Sequence, residues 1–224
     1  MKQKIRLAVL ASGGGTNLQS IIDQTQSGEL NAEITLVISN NPGAGALKRA
    51  EEAGIKNLCI NHRDFTERKS FDLKVVEALE SAKPDLIVLA GFMRIISSVF
   101  LKAFPQRIIN IHPSLLPAFP GLHVQRKALE YGARFSVCTV HFVDDGVDTG
   151  PIIIQAVVPV HTDDTEETLS ARILEQEHKV YPQAIQWFAD GRIKICDRKV
   201  IIESGGHAAN AIINPATDRS LDNQ

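Results

Sequence analysis

Up to Asn110 the chain alternates short apolar runs with amphipathic stretches. Residues 5–11, 34–39, 58–60, 86–90 and 108–111 are rich in Val, Ile and Leu and bounded by Gly, Asn or Pro, which predicts strands. Helices are predicted between them over 17–26, 46–53, 71–83 and 97–104. In the third, Phe71, Val75, Val76 and Leu79 recur at helical spacing and make one apolar face. Strand and helix in turn imply right-handed βαβ units. The expected class is α/β, an open, mostly parallel twisted sheet with helices on both faces. The unbroken apolar run at 86–90 suits a strand buried on both sides.

Beyond Asn110 the pattern changes. The proline-rich segment 113–120 cannot form regular structure. A helix is predicted over 123–131. Two β-rich runs follow, 136–143 and 152–160, joined by a linker short enough to make them an antiparallel pair. A long helix is predicted over 166–189, with Thr165 as its cap and Pro182 as a kink. A small hairpin is expected at 193–202. Residues 1–202 are read as one domain, and 203–224 as a polar, mobile tail.

Composition narrows the function. With 44% hydrophobic and 22% charged residues the chain can bury a core without metals or disulfides. A net charge of −2 supplies no field to gather nucleic acid or an anionic membrane. Cys59, Cys138 and Cys196 are widely spaced and form no CxxC or Cys/His cluster, so reduced thiols in a cytoplasmic protein are expected and a structural metal is not. No apolar run is long enough to span a bilayer. The expected partners are small molecules, and the expected state is a monomer or homodimer.

Two stretches carry chemistry. The first is Ser12-Gly13-Gly14-Gly15-Thr16-Asn17, where a strand runs into a helix. Glycines let backbone N–H groups approach an anion, and the positive end of the helix favours phosphate. Leu18 stands where a dinucleotide fingerprint needs glycine, and the second strand ends in Ser39-Asn40-Asn41 with no acidic residue for a ribose. No Gly-Lys-Ser/Thr follows, so a P-loop is excluded. A phosphate monoester or a plain structural turn remain as readings. The second stretch is Asn110-Ile111-His112-Pro113. Two residues apart on a strand, Asn110 and His112 point the same way at the edge where open α/β sheets bind ligands. The alternative is a capping asparagine beside a core histidine. A carboxylate facing the imidazole would orient it and favour its charged form. The turn Asp144-Asp145-Gly146-Val147-Asp148 offers three, each also explicable as turn chemistry. No HExxH, HxH or GxSxG pattern occurs.

Taken together these stretches resemble the phosphoribosylglycinamide formyltransferases. Similar segments run in family order from near residue 7 to about 195: 11–19, Leu89-Ala90-Gly91-Phe92-Met93-Arg94-Ile95-Ile96, Asn110-Ile111-His112-Pro113-Ser114-Leu115-Leu116-Pro117, 119–123, Val140-His141-Phe142-Val143, Asp148-Thr149-Gly150-Pro151 and Gln176-Glu177-His178. The 110–117 stretch is shared by the wider formyltransferase group, while the glycine loop and 176–178 point to the glycinamide ribonucleotide enzyme. One departure is Ser136-Val137, where the family carries a small pair such as threonine-glycine.

The resemblance implies a Rossmann-like formyltransferase fold with 10-formyltetrahydrofolate as co-substrate and no metal. It implies Asn110, His112 and Asp148 as the catalytic set. Gly15, Thr16, Asn17, Glu175, Gln176 and Glu177 would bind the ribonucleotide, with Glu177 near its amine. Arg68, Met93, Arg94, Ile95, Ile96, Asn110, Asp144, Asp145, Gly146, Val147 and Asp148 would line the folate site, largely through backbone groups. Two alternatives stand beside it, a formyltetrahydrofolate deformylase-type hydrolase and a non-catalytic nucleotide-binding α/β module. The deformylase normally carries an N-terminal regulatory domain, and a first strand at residue 5 is expected to leave no room for one.

Overall fold

The computed structural model describes residues 3–206 and residue 214. The expected tail therefore lies, beyond residue 206 and apart from residue 214, outside the described residues. Among the described residues, five strands form the first half of one nine-stranded sheet: β1 (Ile5–Leu10), β2 (Ala32–Ser39), β3 (Asn57–Cys59), β4 (Leu86–Leu89) and β5 (Ile108–His112). They are mutually parallel in the order β3-β2-β1-β4-β5. The connecting helices are α1 (Thr16–Ser27), α2 (Gly45–Glu52), α3 (Arg68–Ala82) and α4 (Ser98–Ala103). After α5 (Val124–Tyr131), the sheet continues with β6 (Phe135–Phe142) antiparallel to β5 and β7 (Ile152–Pro159) antiparallel to β6. The long helix α6 (Glu166–Ala189) follows. The hairpin β8 (Ile193–Cys196) and β9 (Lys199–Ile202) does not stand apart, because β9 pairs with β7 and extends the sheet.

Strand alternation sorts side chains between two cores. Leu7, Val9 and Ala11 join the core under α1, α2 and α6. Ala8 and Leu10 face the other way, into the core with Phe71, Val75, Leu79 and Phe100 of α3 and α4. Burial on both faces explains why these strands read as continuous apolar runs. β3 differs: its three residues are exposed because it forms the sheet edge. The apolar face expected on α3 is buried, and Asp72 is buried with it. The Asp72 carboxylate accepts the Ser97 N–H at 2.5 Å, which ties α3 to the start of α4.

Helix α6 begins with the expected Thr165 cap, reinforced because Thr168 answers with its own side chain to the Thr165 N–H. It continues through Pro182 as one element. Proline has no N–H to give the carbonyl four residues back. That carbonyl, on His178, accepts instead from Ser20 Oγ (3.1 Å) and Gln24 Nε2 (3.3 Å) of α1. The break in the backbone ladder is thus repaired by the neighbouring helix, and it locks α1 to α6.

The strand order runs outward from β1 in both directions, to β2 and β3 on one side and β4 and β5 on the other. Ligands of open α/β sheets bind where the order switches, outside the carboxyl ends of the flanking strands. Here that crevice lies between the loops leaving β1 and β4. Ser12 N–H donates to the Gly91 carbonyl (3.0 Å), and Met93 N–H donates to Ser12 Oγ (2.8 Å), so the two loops are stitched together.

Candidate active site

Strand β5 presents Asn110 and His112 on one face, and Pro113 ends it, as the sequence predicts. Both side chains line a cavity of about 510 Å³. His112 is buried and Asn110 half-buried. The strand pairing puts Leu89, Asn110 and His141 in one row across β4, β5 and β6. Directly opposed residues share a face, so all three border the cavity.

Asp148 arrives from the β6–β7 loop. Its Oδ2 lies 3.5 Å from His112 Nδ1 and accepts the Gly121 N–H at 3.0 Å, and its Oδ1 lies 3.9 Å from His141 Nε2. Of the three aspartates in this turn, it is the one that reaches the imidazole. Asp144 lines the cavity but spends its Oδ1 on Gly146 N–H and the Thr149 hydroxyl, as turn chemistry predicts. Asp145 is exposed and outside the lining. Asp148 itself sits at φ +56°, a left-handed conformation that the short Asp side chain tolerates better than most. Gly150 makes this loop possible, since a Cβ there would fall 1.8 Å from the Phe142 carbonyl oxygen.

His112 Nε2 donates to the Phe119 carbonyl at 3.1 Å. Each ring nitrogen of His112 therefore faces an acceptor. The 113–120 segment is irregular, as predicted, but it is braced. Ser114 Oγ donates to the Ala118 carbonyl, Thr139 Oγ1 to the Ser114 carbonyl, and Gln155 Nε2 to the Leu116 carbonyl. Ser136 and Val137, the departure from the family pattern, are buried within β6, which stays in register with β7 there. The register shifts further along, between Val140 and His141.

The remaining cavity wall mixes apolar side chains with backbone. Met93, Ile95, Leu122 and Val147 are large, exposed and apolar. Arg94 lines the cavity, yet its guanidinium sits over the Phe71 ring at 5.3 Å. Arg68 is exposed at the start of α3 and does not line the cavity. The Met93 N–H already donates to Ser12, so of the 93–96 backbone it is not free to meet a ligand.

A second cluster lies at the start of α1. Gly15 caps the helix at φ +76°, with no side-chain cap, and a Cβ there would lie 2.8 Å from Ala46 Cα. Only glycine allows α1 to begin so close to α2 while leaving its first N–H groups uncapped. Asn17 is buried and its Nδ2 donates to Glu177 Oε2 at 2.7 Å. Asn17 Oδ1 is buried with no hydrogen-bond partner among the described residues. Burial pushes the Glu177 carboxyl up, while the Asn17 hydrogen bond partly offsets this. Glu175 is exposed and Gln176 half-buried, so of the three expected residues on this turn only Glu177 meets Asn17. Cys138 is pushed up to about 12 by burial and is an inert core thiol.

Sequence reasoning missed Ser12, Phe119 and His141 as site residues. Period-two alternation in β6 shows that His141 shares a face with Thr139, but spacing alone does not give its register against Asn110. Among the described residues, no group of three or more His, Cys, Asp or Glu side chains could hold a metal ion.

Comparisons with known proteins give the family and the fold. A family model described as formyl transferase matches residues 5–185. The trifunctional purine biosynthetic protein adenosine-3 of Drosophila melanogaster is 50% identical over 192 residues, which is 85% of this chain but 14% of that protein. The chain thus spans only a small part of this relative. The phosphoribosylglycinamide formyltransferase of Escherichia coli (strain K12) is 44% identical over 191 residues, 85% of this chain and 90% of that one. A solved structure, glycinamide ribonucleotide transformylase 1 from Symbiobacterium toebii, matches with a TM-score of 0.89 at 49% identity, covering 91% of this chain and 96% of that one. The fold, the cavity at the carboxyl edge of β5 and the match over residues 5–185 lead to one conclusion: the chain belongs to the formyl transferase family.

Proposed function

We infer that the cavity transfers the formyl group of 10-formyltetrahydrofolate to the amine of 5'-phosphoribosylglycinamide, a step of purine biosynthesis. The single observation that carries the catalytic assignment is the meeting of Asn110, His112 and Asp148 from separate segments, with Asp148 Oδ2 3.5 Å from His112 Nδ1. Volume and lining suit a folate headgroup. The cavity of about 510 Å³ is within the range of about 300–1,000 Å³ typical of small-molecule sites, and it offers an apolar wall with polar backbone edges.

The ribonucleotide phosphate sits on the loop from Gly13 to Asn17, where the uncapped start of α1 supplies N–H donors. Asn17 Oδ1 and Glu177 form an acceptor pair for N–H groups of the glycinamide, which satisfies the otherwise partnerless Oδ1. Met93, Arg94, Ile95, Ile96, Asp144, Gly146, Val147 and Asp148 hold the pterin. Arg68 and Asp145 stand outside the cavity lining, so we give them no role at the headgroup.

In the reaction the amine nitrogen forms a bond to the formyl carbon, the bond from that carbon to the folate nitrogen breaks, and one amine proton ends on that nitrogen. Negative charge builds on the formyl oxygen as the amine adds. Asn110 donates an amide N–H to it. His112 donates its Nε2–H, which the charged oxygen takes over from the weaker Phe119 carbonyl. Asp148 orients the ring through Nδ1, and the pair carries the proton between the two nitrogens. Losing one such donor costs about 3–4 kcal/mol, or 10²–10³ in turnover. No covalent enzyme intermediate is needed, because the folate delivers an activated group. The three free thiols suit a reducing cytoplasm, where we place the protein as a monomer or homodimer.

The test is steady-state turnover, followed by absorbance of the folate product with 5'-phosphoribosylglycinamide as acceptor. His112→Ala and Asp148→Ala are expected to lose most of kcat. Near-normal kcat in either refutes the assignment, and near-normal kcat in Asn110→Ala refutes the oxyanion role. Folate turnover without the acceptor would point instead to hydrolysis.

A further inference from the structure

We propose that His141 is a positioning residue that selects which end of the Asn110 side-chain amide faces the formyl oxygen. The inference rests on the reading of Asn110 as an oxyanion donor and adds to it. An asparagine amide has a donating and an accepting end of nearly equal shape. Only the NH2 end stabilises a developing negative charge. The oxygen end, placed there, would repel it.

His141 and Asn110 are register partners on β6 and β5, so their side chains lie side by side on the cavity face. His141 is 1% exposed. Its Nδ1 lies 2.8 Å from the Phe142 carbonyl, which can only accept, so Nδ1 carries the ring proton. Burial pushes the ring's titration down, outweighing the Phe142 hydrogen bond and the Asp148 and Asp144 carboxylates, which favour a second ring proton, while His112 opposes one, so the ring is neutral near pH 7. With its one proton on Nδ1, Nε2 presents a lone pair. That lone pair faces Asn110 Nδ2 at 3.3 Å. An amide oxygen in that place would meet the lone pair head on. His141 therefore accepts one of the two N–H groups of Asn110 and leaves the other for the substrate. The same nitrogen stands 3.9 Å from Asp148 Oδ1, too far for a good hydrogen bond, so it does not compete with His112 for the carboxylate.

The consequence is a specific pattern of kinetics. His141→Leu removes the acceptor and frees the amide to turn. His141→Gln can return an acceptor through its side-chain carbonyl while staying polar. The expected result is a kcat at least tenfold lower in His141→Leu, short of the loss from removing the Asn110 donor outright, roughly 10²–10³-fold. KM for both substrates changes little, and His141→Gln recovers much of the rate. In an Asn110→Ala background, His141→Leu adds almost nothing, because the group it positions is gone. If Asn110→Ala alone leaves kcat unchanged, the donor reading of Asn110 fails. If Asn110→Ala slows the enzyme but His141→Leu costs the same factor in both backgrounds, the donor reading survives and the positioning proposal is overturned. Nitrogen NMR of the wild-type chain labelled at histidine gives a readout independent of folding of the variants. The expected His141 signature is a protonated Nδ1 and a bare Nε2. A protonated Nε2 overturns the proposal.

Discussion

Gly150→Ala isolates the geometry of the Asp148 loop without touching a reacting group. A Cβ at this position would stand 1.8 Å from the Phe142 carbonyl oxygen and 2.8 Å from its carbon. Real Cβ contacts essentially never fall under 3.0 Å, and the obstacle is strand backbone, which cannot rotate away. Reaching 3.0 Å requires about 1.2 Å of movement, and the loop is the softer partner. If that movement lengthens the Asp148–His112 contact from 3.5 Å to about 4.7 Å, the Coulomb attraction at an effective dielectric of about 20 falls by about 1.2 kcal/mol, somewhat under tenfold in rate. Loss of alignment adds to this, since a misplacement of about 1 Å can cost 10²-fold. The expected kcat loss is thus about tenfold to a hundredfold. Overpacking costs about 1–3 kcal/mol of stability, or roughly 2–12 °C in Tm for a chain of this size, so the protein remains folded for assay at 25 °C. Steady-state kinetics and a melting curve on the same sample separate the two effects. A Gly150→Ala enzyme with wild-type kcat would show that the loop need not hold Asp148 against His112.

Glu177→Gln is expected to raise KM for the ribonucleotide roughly tenfold or more while leaving the folate KM unchanged, since it removes the charge from the acceptor pair. The same variant tests the electrostatics. Burial raises the Glu177 pKa above its ordinary 4.5, so the wild type is favoured below that value and loses stability as pH rises through the folded pKa. The Tm advantage of Glu177→Gln is therefore expected to grow from pH 4 to pH 8, and a constant difference contradicts the burial argument. Asp164 behaves oppositely. Its bidentate pairing with Arg172 depresses it below the ordinary 3.8, so its contribution is complete above that value and fades as pH falls. Asp164→Asn should lower Tm by about 2–4 °C at pH 7, taking about 1 kcal/mol after solvent screening, and this gap should close in acid. The double variant Ser20→Ala, Gln24→Ala leaves the His178 carbonyl without its partners. It should cost about 1–3 kcal/mol, or roughly 2–12 °C, and much less in a Pro182→Ala background, where the helix can supply the missing N–H.

The parallel half of the sheet was legible because burial on both faces leaves a signal in every residue of a strand. The predicted strand at 86–90 and the apolar face Phe71, Val75, Val76 and Leu79 appear as read. The antiparallel pair β6–β7 was legible from its short linker. Asn110 and His112 could be paired in advance because two residues on one strand share a face whatever the fold around them. Asp148 was chosen by resemblance rather than spacing, since three aspartates in one turn are equivalent until the backbone conformation is known. Helix α3 starts at Arg68 instead of 71, because its first turn is polar and carries no cap signal. Arg68 and Asp145 show the complementary limit: which side of a loop or helix end meets a cavity depends on packing that local pattern does not encode.

The partners of these side chains explain why they needed a change of strand direction. In the parallel half, each strand is followed by a helix, and the next strand begins again at the far edge of the sheet. Reversal at β6 sets His141 beside Asn110 in register, with its Nδ1 held by the backbone of its own strand. The β6–β7 connection needs no helix, and it folds back far enough to bring Asp148 against His112. One strand, β5, holds Asn110 and His112, while a loop kept close to the sheet by Gly150 holds the carboxylate. In the proposed mechanism Asn110 and His112 are thereby fixed before substrate arrives, and the loop proposed to line the pterin site is the same one that carries the carboxylate. On that reading, folate binding bears directly on the position of Asp148, and this joins substrate recognition to the orientation of the His112 ring.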